Sequence, residues 1–369
     1  MKKSKFVLAA LVAVAGLAAL VFATAGAAQH SAAFKVGWIY VGPHNDHGWS
    51  QAHDQGRLAV QKALGSKVLT TYKELVPEGP QTCQVIESLI RDGNKMIFST
   101  SFGFQPCVVS EAKKHPDVLF EQATGTALSK NVAEYFGAGE DAIYLSGMAA
   151  GAATKKGVIG YIGSFAIPEV IRHTNAWALG AQRTHPGVKV KVVWTHDWVS
   201  TEKARKAAES LVAAGADVLG QNIDPPTAGQ YAQQKGILWT GYDSDAQSFA
   251  PTSWLTAAVY HWGPYYLRRV RAAIDGTWKS GFYYGSMKDG FAGLAAFGPK
   301  VSKATKLAIA KVKAEIISGK FYEFTGPLYD QHGKLRVAKG RRMQVLKGGT
   351  NSLYGMNWFV KGVLGSPKG

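Results

Sequence analysis

The chain has 369 residues, a formal net charge of +17, 46% hydrophobic residues and 42 glycines. This composition is typical of a folded α/β protein and excludes a disordered chain. A basic excess is compatible with nucleic acid, anionic lipid headgroups or an acidic partner. We favour a solvated basic surface and expect no nucleic-acid partner, because the cations are spread along the sequence without a zinc-finger spacing or an RNA-recognition signature.

The first 28 residues have the layout of a secretory signal peptide. Lys2, Lys3 and Lys5 precede an uncharged apolar run from Phe6 to Phe22, and small residues at 23–28 offer a cleavage site. An uncleaved membrane anchor is the alternative, but alanine and glycine make the run only weakly apolar. No cysteine lies at the end of the run, so we expect a periplasmic protein without a lipid anchor. The remaining residues, roughly 340, are enough for two lobes that each have a core.

From residue 34 onward, short apolar runs alternate with helical periodicity. Strands are predicted at 34–41, 67–72, 95–100, 118–122, 157–161, 189–194, 218–221, 238–242 and 254–259. Helices are predicted at 50–64, 81–92, 106–115, 142–155, 167–184, 202–214, 227–235, 264–274 and 303–318. A Gly-rich stretch occupies 281–298, and a strand-like tail follows the last helix. Strands separated by helices in this way predict right-handed crossovers and two parallel sheets.

The two cysteines, Cys83 and Cys107, each lie where a loop enters a helix, in successive strand–helix units. In an oxidising compartment this count is compatible with one disulfide, which would close a loop of about 25 residues and add roughly 3 kcal/mol. Two free buried thiols are the alternative. A metal site would need more ligands than these two residues supply.

Ligands of open parallel sheets bind beyond the carboxyl ends of the strands. Here the loops at these ends repeatedly combine aromatic, Asn and Asp side chains. These loops are residues 42–50, 101–104, 163–169, 195–198, 222–226 and 243–245. Rings that can stack, beside amides and carboxylates that can hydrogen-bond, suit a planar, nitrogen-rich ligand. Each aromatic could serve packing alone, but their recurrence favours a binding site.

Other chemistries find less support in the sequence. His44, Asp46, His47 and His53 could be metal ligands, but their spacing is not H-E-x-x-H and a zinc site needs a closed ligand set. The chain also lacks a G-x-S-x-G elbow, a Walker A sequence, and G-x-G-x-x-G after the first strand. We therefore predict no catalytic residue, metal or cofactor.

Six motifs, in order, resemble those of the basic membrane protein family of solute-binding proteins, which serve ATP-binding-cassette (ABC) importers. They are N-D-H-G-W-S at 45–50, S-F-G-F at 101–104, I-P-E-V at 167–170, G-A-D-V at 215–218, G-Y-D-S-D at 241–245 and F-T-G-P-L-Y-D-Q at 324–331. The resemblance extends from about residue 34 to 340. Each motif is modest alone, but the ordered set is fairly specific.

The resemblance implies a type I periplasmic-binding-protein fold, in which two doubly wound parallel-sheet lobes are joined by crossing strands. Lobe 1 would comprise residues 33–136 plus 257–286, and lobe 2 residues 137–256 plus 287–355. It also implies capture rather than catalysis. Hinge closure would bury a ligand between the lobes, and the closed monomer would then meet an ABC permease.

The better-understood branch of this family binds purine nucleosides. Trp49 would match the aromatic that stacks on the base, Asn45 its neighbouring Asn, and Asp243 the Asp that hydrogen-bonds the ligand. The loops add further expected ligand-binding residues, namely Phe102, Phe165, Glu169, Trp198, Asn222, Asp224, Tyr260 and Trp262.

Two departures from the family pattern bear on the ligand. Nucleoside binders have an Asp for the ribose hydroxyls where this chain has Gln122–Gly125, and a Lys where it has Tyr260–Trp262. Trp198 and Trp262 could fill the space. We therefore favour a free purine base, with adenine leading, over a nucleoside. The alternatives are a metal-dependent nucleoside hydrolase using Asp46, Asp224 or Asp243, and a sensory or interaction protein that uses its basic surface.

Overall fold

The computed structural model describes residues 32–369, which are organised around two sheets. The first sheet contains six strands, β1 (Phe34–Ile39), β2 (Val68–Lys73), β3 (Met96–Ser99), β4 (Leu119–Ala123), β5 (Val132–Gly137) and β11 (Phe282–Gly285). Their order is β11-β5-β4-β3-β1-β2, and every pair is parallel. The carboxyl ends of these strands therefore meet along one edge of the sheet.

The second sheet contains seven strands. They are β6 (Val158–Gly163), β7 (Lys189–Trp194), β8 (Val218–Asn222), β9 (Leu238–Asp243), β10 (Trp254–Tyr260), β12 (Ala292–Leu294) and β15 (Val363–Leu364). Their order is β12-β10-β9-β8-β6-β7-β15, with β12 antiparallel to β10 and the other pairs parallel. β13 (Leu328–Tyr329) and β14 (Leu335–Val337) form a separate two-stranded antiparallel sheet.

Nine helices connect or flank the strands of the described chain. They are α1 (Trp49–Leu64), α2 (Pro80–Arg91), α3 (Gln105–Lys114), α4 (Gly139–Ala153), α5 (Pro168–Thr184), α6 (Thr201–Ala213), α7 (Thr227–Lys235), α8 (Trp262–Ile274) and α9 (Lys303–Ile317). Proline occupies the first turn of α2, α3 and α5, where its missing N–H costs no helical hydrogen bond. The predicted α/β class with two parallel sheets is confirmed.

The chain passes between the sheets three times. It leaves the first sheet after β5, returns after β10, and leaves again after β11. Strand β10 stays paired in the second sheet as far as Tyr260. The chain therefore returns to the first sheet after residue 260, whereas the sequence analysis assigns residues from 257 onward to lobe 1. Helix α8 then packs closely on α1, and a Cβ at Gly56 would lie 2.8 Å from that of Trp262. These crossings hold the two strand edges opposite each other.

Three strands were not predicted from the sequence. β5 was not predicted, because Glu134 interrupts its run of apolar residues. All six residues of β5 are buried, so the strand also lacks the alternation of buried and exposed residues. β11 and β12 lie inside the predicted Gly-rich stretch, and each is only three or four residues long. Strands this short carry too few residues to show a period of two.

Cys83 of α2 and Cys107 of α3 form a disulfide, with Cα atoms 4.9 Å apart. The alternative of two free thiols is therefore wrong. The bond ties together the first turns of the helices that follow β2 and β3, two strands separated in the sheet by β1, next to the loop that carries Phe102.

The predicted signal peptide, residues 1–28, lies outside the described residues. Within residues 32–369, every helix is too short or too polar to cross a membrane.

Candidate ligand-binding site

A cavity lies between the facing edges of the two sheets. Its lining from the first sheet and its loops is Val41, Trp49, Thr100, Ser101, Phe102 and Thr124. Its lining from the second is Glu169, Trp198, Asp224 and Tyr242. The mixture of aromatic and polar walls is typical of a small-molecule site.

Trp49 is the aromatic wall of this cavity. As the first residue of α1 it is 8% exposed, and its indole N–H donates to the Thr100 carbonyl oxygen at 2.6 Å. The edges of Trp262 and Tyr260 pack against it, with ring centroids 5.4 and 6.1 Å away. The ring is therefore held in one orientation before any ligand arrives, which lowers the entropic cost of stacking.

Asp46 explains why α1 begins where it does. Its carboxylate accepts hydrogen bonds from the backbone N–H groups of Gly48, Ser50 and Gln51, at 2.8 to 2.9 Å. These are donors that an α-helix N-terminus leaves unpaired. Asp46 is thus a cap that positions Trp49, while its neighbour Asn45 is exposed and does not line the cavity.

Three polar atoms in the cavity wall are buried and have no hydrogen-bond partner within the described residues. They are the Trp198 indole nitrogen, the Thr124 hydroxyl oxygen and Asp224 Oδ2. An unpaired buried polar group costs on the order of 1–3 kcal/mol, and folded proteins rarely leave several together. A ligand with both donors and acceptors would pair them.

The carboxyl groups around the cavity are held toward the neutral form. Burial raises the pKa of Asp224 well above its usual value, and the charges of Asp46 and Glu169 raise it further. Burial also raises the pKa of Glu169 to about 7, although the Arg172 guanidinium acts in the opposite direction. Neutral carboxyl groups can both donate and accept. The site therefore suits a neutral ligand better than a cation.

Five of the residues predicted to bind ligand line this cavity. These are Trp49, Phe102, Glu169, Trp198 and Asp224. Two others lie one layer behind it. Phe165 packs against Trp198 with ring centroids 5.2 Å apart, and the Asn222 amide lies 3.0 Å from Nδ1 of the buried His173.

Besides the exposed Asn45, three predicted residues remain, and they form a deeper layer. Asp243 follows Tyr242 and has a left-handed backbone with φ of 66°. Among residues 32–369, neither of its carboxylate oxygens has a hydrogen-bond partner. Burial, followed by the charge of Asp224, raises its pKa well above the usual range. Tyr260 and Trp262 lie behind Trp49, where the Tyr260 hydroxyl and the Trp262 indole N–H also have no hydrogen-bond partner in the part of the chain that the structure describes.

Sequence reasoning missed several lining residues, namely Val41, Thr100, Ser101, Thr124 and Tyr242. All of them lie at or just beyond strand ends, as the rule for parallel sheets requires. Thr100, Ser101 and Thr124 have small hydroxyl side chains and Val41 an aliphatic one, and these gave no signal that separates them from ordinary loop residues. Tyr242 did carry a signal, since it is an aromatic residue at a strand end within the G-Y-D-S-D motif.

The His-rich loop is occupied by other interactions. His44 Nδ1 lies 2.7 Å from the Glu74 carboxylate, and His53 stacks on Trp262 with ring centroids 4.0 Å apart. Across residues 32–369, no group of three or more His, Cys, Asp or Glu side chains is arranged to hold a metal ion.

Direct contacts between the loops of the two sheets close the cavity. The Ser244 hydroxyl donates to the His47 carbonyl oxygen, and the His47 ring lies 4.7 Å from that of Phe249. Gly48 is so close to Asp224 that a Cβ on it would lie 2.6 Å from the Asp224 carbonyl oxygen.

Glu134, beneath the loop that carries Thr124, gives a prediction about pH. Burial raises its pKa from the usual 4.5 to about 8. The folded protein therefore holds this proton more tightly than the unfolded chain, so stability falls as pH rises from about 4.5 through about 8. Between pH 5 and 9 the wild type should lose roughly 2 to 4 kcal/mol more unfolding free energy than Glu134→Gln. Urea unfolding at pH 5, 7 and 9 tests this, and parallel pH dependences for the two proteins would contradict it.

Residues 33–329 match the family model described as ABC transporter substrate-binding protein PnrA-like. The chain belongs to this family. It is 42% identical over 342 residues to a purine-binding protein of Brucella abortus, covering 93% of this chain and 96% of that relative. It is also 33% identical over 293 residues to a Haloferax volcanii protein provisionally named as an ABC transporter glucose-binding protein, covering 79% and 74%.

The fold comparison agrees with the family match. A crystal structure of an ABC transporter solute-binding protein from Aeropyrum pernix superposes with a TM-score of 0.67 at 17% identity, covering 78% of this chain and 92% of that one. The expected family and the type I binding-protein fold are confirmed. The protein is an ABC transporter substrate-binding protein and not an enzyme, so the hydrolase alternative is wrong. Such proteins bind small molecules and work with a membrane permease.

Proposed function

We propose that this substrate-binding protein captures a purine in the cavity between its two sheets and passes it, chemically unchanged, to an ABC permease. The observation that carries the proposal is the pairing of a fixed Trp49 ring with unpartnered polar atoms on Thr124, Trp198 and Asp224. A purine has faces to stack and an edge of alternating donors and acceptors. The Brucella abortus relative, named for purine binding, supports the same ligand class.

Within this class we favour a free base, with adenine leading, over a nucleoside. Gln122 lies in the segment where nucleoside binders of the family have the ribose-binding Asp. Its side-chain amide donates to the carbonyl oxygens of Ser101 and Ala123 at 2.7 and 2.6 Å. Its N–H groups are therefore already engaged. His261, in the segment that lacks the family's Lys, is exposed and does not line the cavity.

We further propose that residues 33–136 plus 257–286 and residues 137–256 plus 287–355 move as two lobes, except that residues 257–260, which pair within the second sheet, move with lobe 2. The contacts of His47 with Ser244 and of Gly48 with Asp224 belong to the closed form, and opening separates them. The exported, mature protein acts as a periplasmic monomer. The residues behind the cavity lining contribute to binding by supporting its walls; they are Asn222, Asp243, Tyr260 and Trp262. The exposed Asn45 contributes when the lobes close.

Isothermal titration of ligand-free protein starting at residue 29 tests the ligand class. Adenine is expected to bind with micromolar or tighter affinity, since a ring stack and two or three buried hydrogen bonds support about that strength. Guanine, adenosine and inosine should bind more weakly. Glucose is the matched competitor, given the Haloferax volcanii relative. Heat from glucose with none from any purine would overturn the purine proposal and leave the family assignment intact.

A further inference from the structure

Positive charge is concentrated in the last fifth of the chain. Lysine and arginine occur along the whole sequence, but residues 300–369 contain 14 of them and only three acidic residues, a net charge of +11. Residues 29–299 contain 25 such cations and 22 acidic residues, a net charge of +3. The basic excess therefore belongs to one segment, made of α9 and the tail, and is not the evenly solvated surface that the spread of cations suggests.

Helix α9 turns lysines and apolar residues outward. Its buried side, with Ile309 and Val312, packs on α4, which itself covers the second sheet. The opposite side exposes Leu307, Ala310 and Ala314, and Leu307 is 63% exposed. Four lysines of the same helix surround this apolar strip, namely Lys303, Lys306, Lys311 and Lys313.

The tail continues this surface beyond the end of α9. Arg342 Nη2 donates to the carbonyl oxygen of Gly319, two residues after the helix ends, at 3.2 Å. The turn at 339–342 is bridged to residues 325 and 326. It thereby adds three exposed cations next to Lys320, namely Lys339, Arg341 and Arg342. We call residues 303–320 and 339–342 together the cationic face.

Acidic side chains do not neutralise the cationic face. The segment has three of them. Glu315 lies 4.0 Å from Arg183 of α5, Asp330 lies 2.8 Å from Arg336, and Glu323 is buried. Among residues 32–369, no carboxylate lies within ion-pair distance of a cation of the cationic face. Its charge is therefore available to an external partner.

An anionic lipid surface fits the cationic face better than nucleic acid does. Lysines and arginines around an exposed apolar strip are typical of segments that lie on an anionic bilayer, where headgroups meet the cations and the apolar side chain enters the interface. Single-stranded nucleic acid would need exposed aromatic rings on which bases stack. Residues 303–320 and 339–342 contain no aromatic residue.

We propose that the cationic face is a membrane-contact surface, which holds the protein against anionic lipid headgroups. It lies on the opposite side of α4 from the second sheet, and none of its residues lines the ligand cavity. Contact with lipid therefore leaves the cavity free to bind ligand. A substrate-binding protein held in this way stays close to its permease without a lipid anchor. The inference holds whichever ligand the cavity takes.

Vesicle co-sedimentation of the protein starting at residue 29 tests the proposal. At about 50 mM NaCl, vesicles of equal parts phosphatidylglycerol and phosphatidylcholine should bind it at least about 100-fold more tightly than pure phosphatidylcholine vesicles. At about 500 mM NaCl most of this difference should disappear, because salt screens the charges. Equal affinity for both vesicles would overturn the proposal. Tighter binding to a DNA duplex at the same phosphate concentration would overturn the lipid assignment.

Charge-matched variants locate the contact. The triple variant Lys339→Gln, Arg341→Gln, Arg342→Gln should weaken binding to the anionic vesicles about 100-fold, at roughly fivefold for each cation. The control replaces three exposed lysines of the first sheet and its helix α1, as Lys62→Gln, Lys67→Gln, Lys73→Gln. It has the same net charge and should bind within about threefold of the wild type. Equal losses in both variants would show that net charge drives binding and would overturn the inference.

An apolar pair of variants tests whether α9 itself meets the lipid. Leu307→Ala should weaken vesicle binding about fivefold, because part of the leucine side chain enters the interface. Leu58→Ala is the matched control, since Leu58 is 50% exposed on α1, and it should leave the affinity unchanged. Wild-type affinity in Leu307→Ala would contradict the placement of α9 against the bilayer. The comparison of vesicles with the wild type stands as a test even if a variant folds poorly.

Discussion

Trp49→Ala is expected to weaken adenine binding roughly 30- to 300-fold, the range of a central aromatic anchor in a binding site. The substitution removes the ring that stacks on the base and the hydrogen bond to Thr100 that holds the ring in place. Trp49→Phe keeps a stacking face and loses the N–H, so its affinity should fall only about fivefold. Isothermal titration measures both variants, and thermal melting confirms that they are folded.

The control for this variant is Trp194→Ala. Trp194 is a half-buried tryptophan whose indole N–H, like that of Trp49, donates to a backbone oxygen, here that of Ser366, but it lies outside the cavity. Its replacement should lower stability and leave adenine affinity within about threefold of the wild type. A Trp49→Ala protein that binds adenine equally well would remove the stacking wall on which the proposed function depends.

Gly48→Ala is expected to weaken adenine binding by a factor of about 10 to 100. The added Cβ would lie 2.6 Å from the carbonyl oxygen of Asp224 and 2.8 Å from its Cα, so the two loops must move apart. Because these atoms are backbone, neither can rotate away. The closed form becomes costlier, while the open form, in which the loops are separated, is unaffected.

Small-angle X-ray scattering supplies a second readout for Gly48→Ala. The wild type should become more compact when adenine is added, and the variant should require far more adenine for the same change. Gly281→Ala is the matched control, because a Cβ there meets no atom within 4 Å. Wild-type affinity and wild-type compaction in Gly48→Ala would contradict the proposed closure between His47–Gly48 and the second sheet.

Much of the site could be predicted because strand ends in parallel sheets collect ligands. Trp49, Phe102, Trp198 and Asp224 follow four different strands, and all four reach the cavity. Asn45 does not, because the neighbouring Asp46 carboxylate takes the helix N-terminus and leaves Asn45 exposed. Residue type and spacing predicted which loops face the ligand. They could not predict which side chain of a loop turns inward.

The sequence by itself determined the two-sheet α/β architecture, the family and the aromatic character of the cleft. These properties follow from local periodicity and short motifs, which the chain carries without reference to its folded contacts. Only the tertiary structure decided that Arg172 of α5 and Tyr354 of the tail lie close to Thr124 of the cavity wall. Arg172 reads as an ordinary helix residue, and the tail has few regular elements. Arg172 and Tyr354 come together because the tail packs against α5. No local sequence pattern predicts that packing, or which buried polar atoms it leaves without a partner.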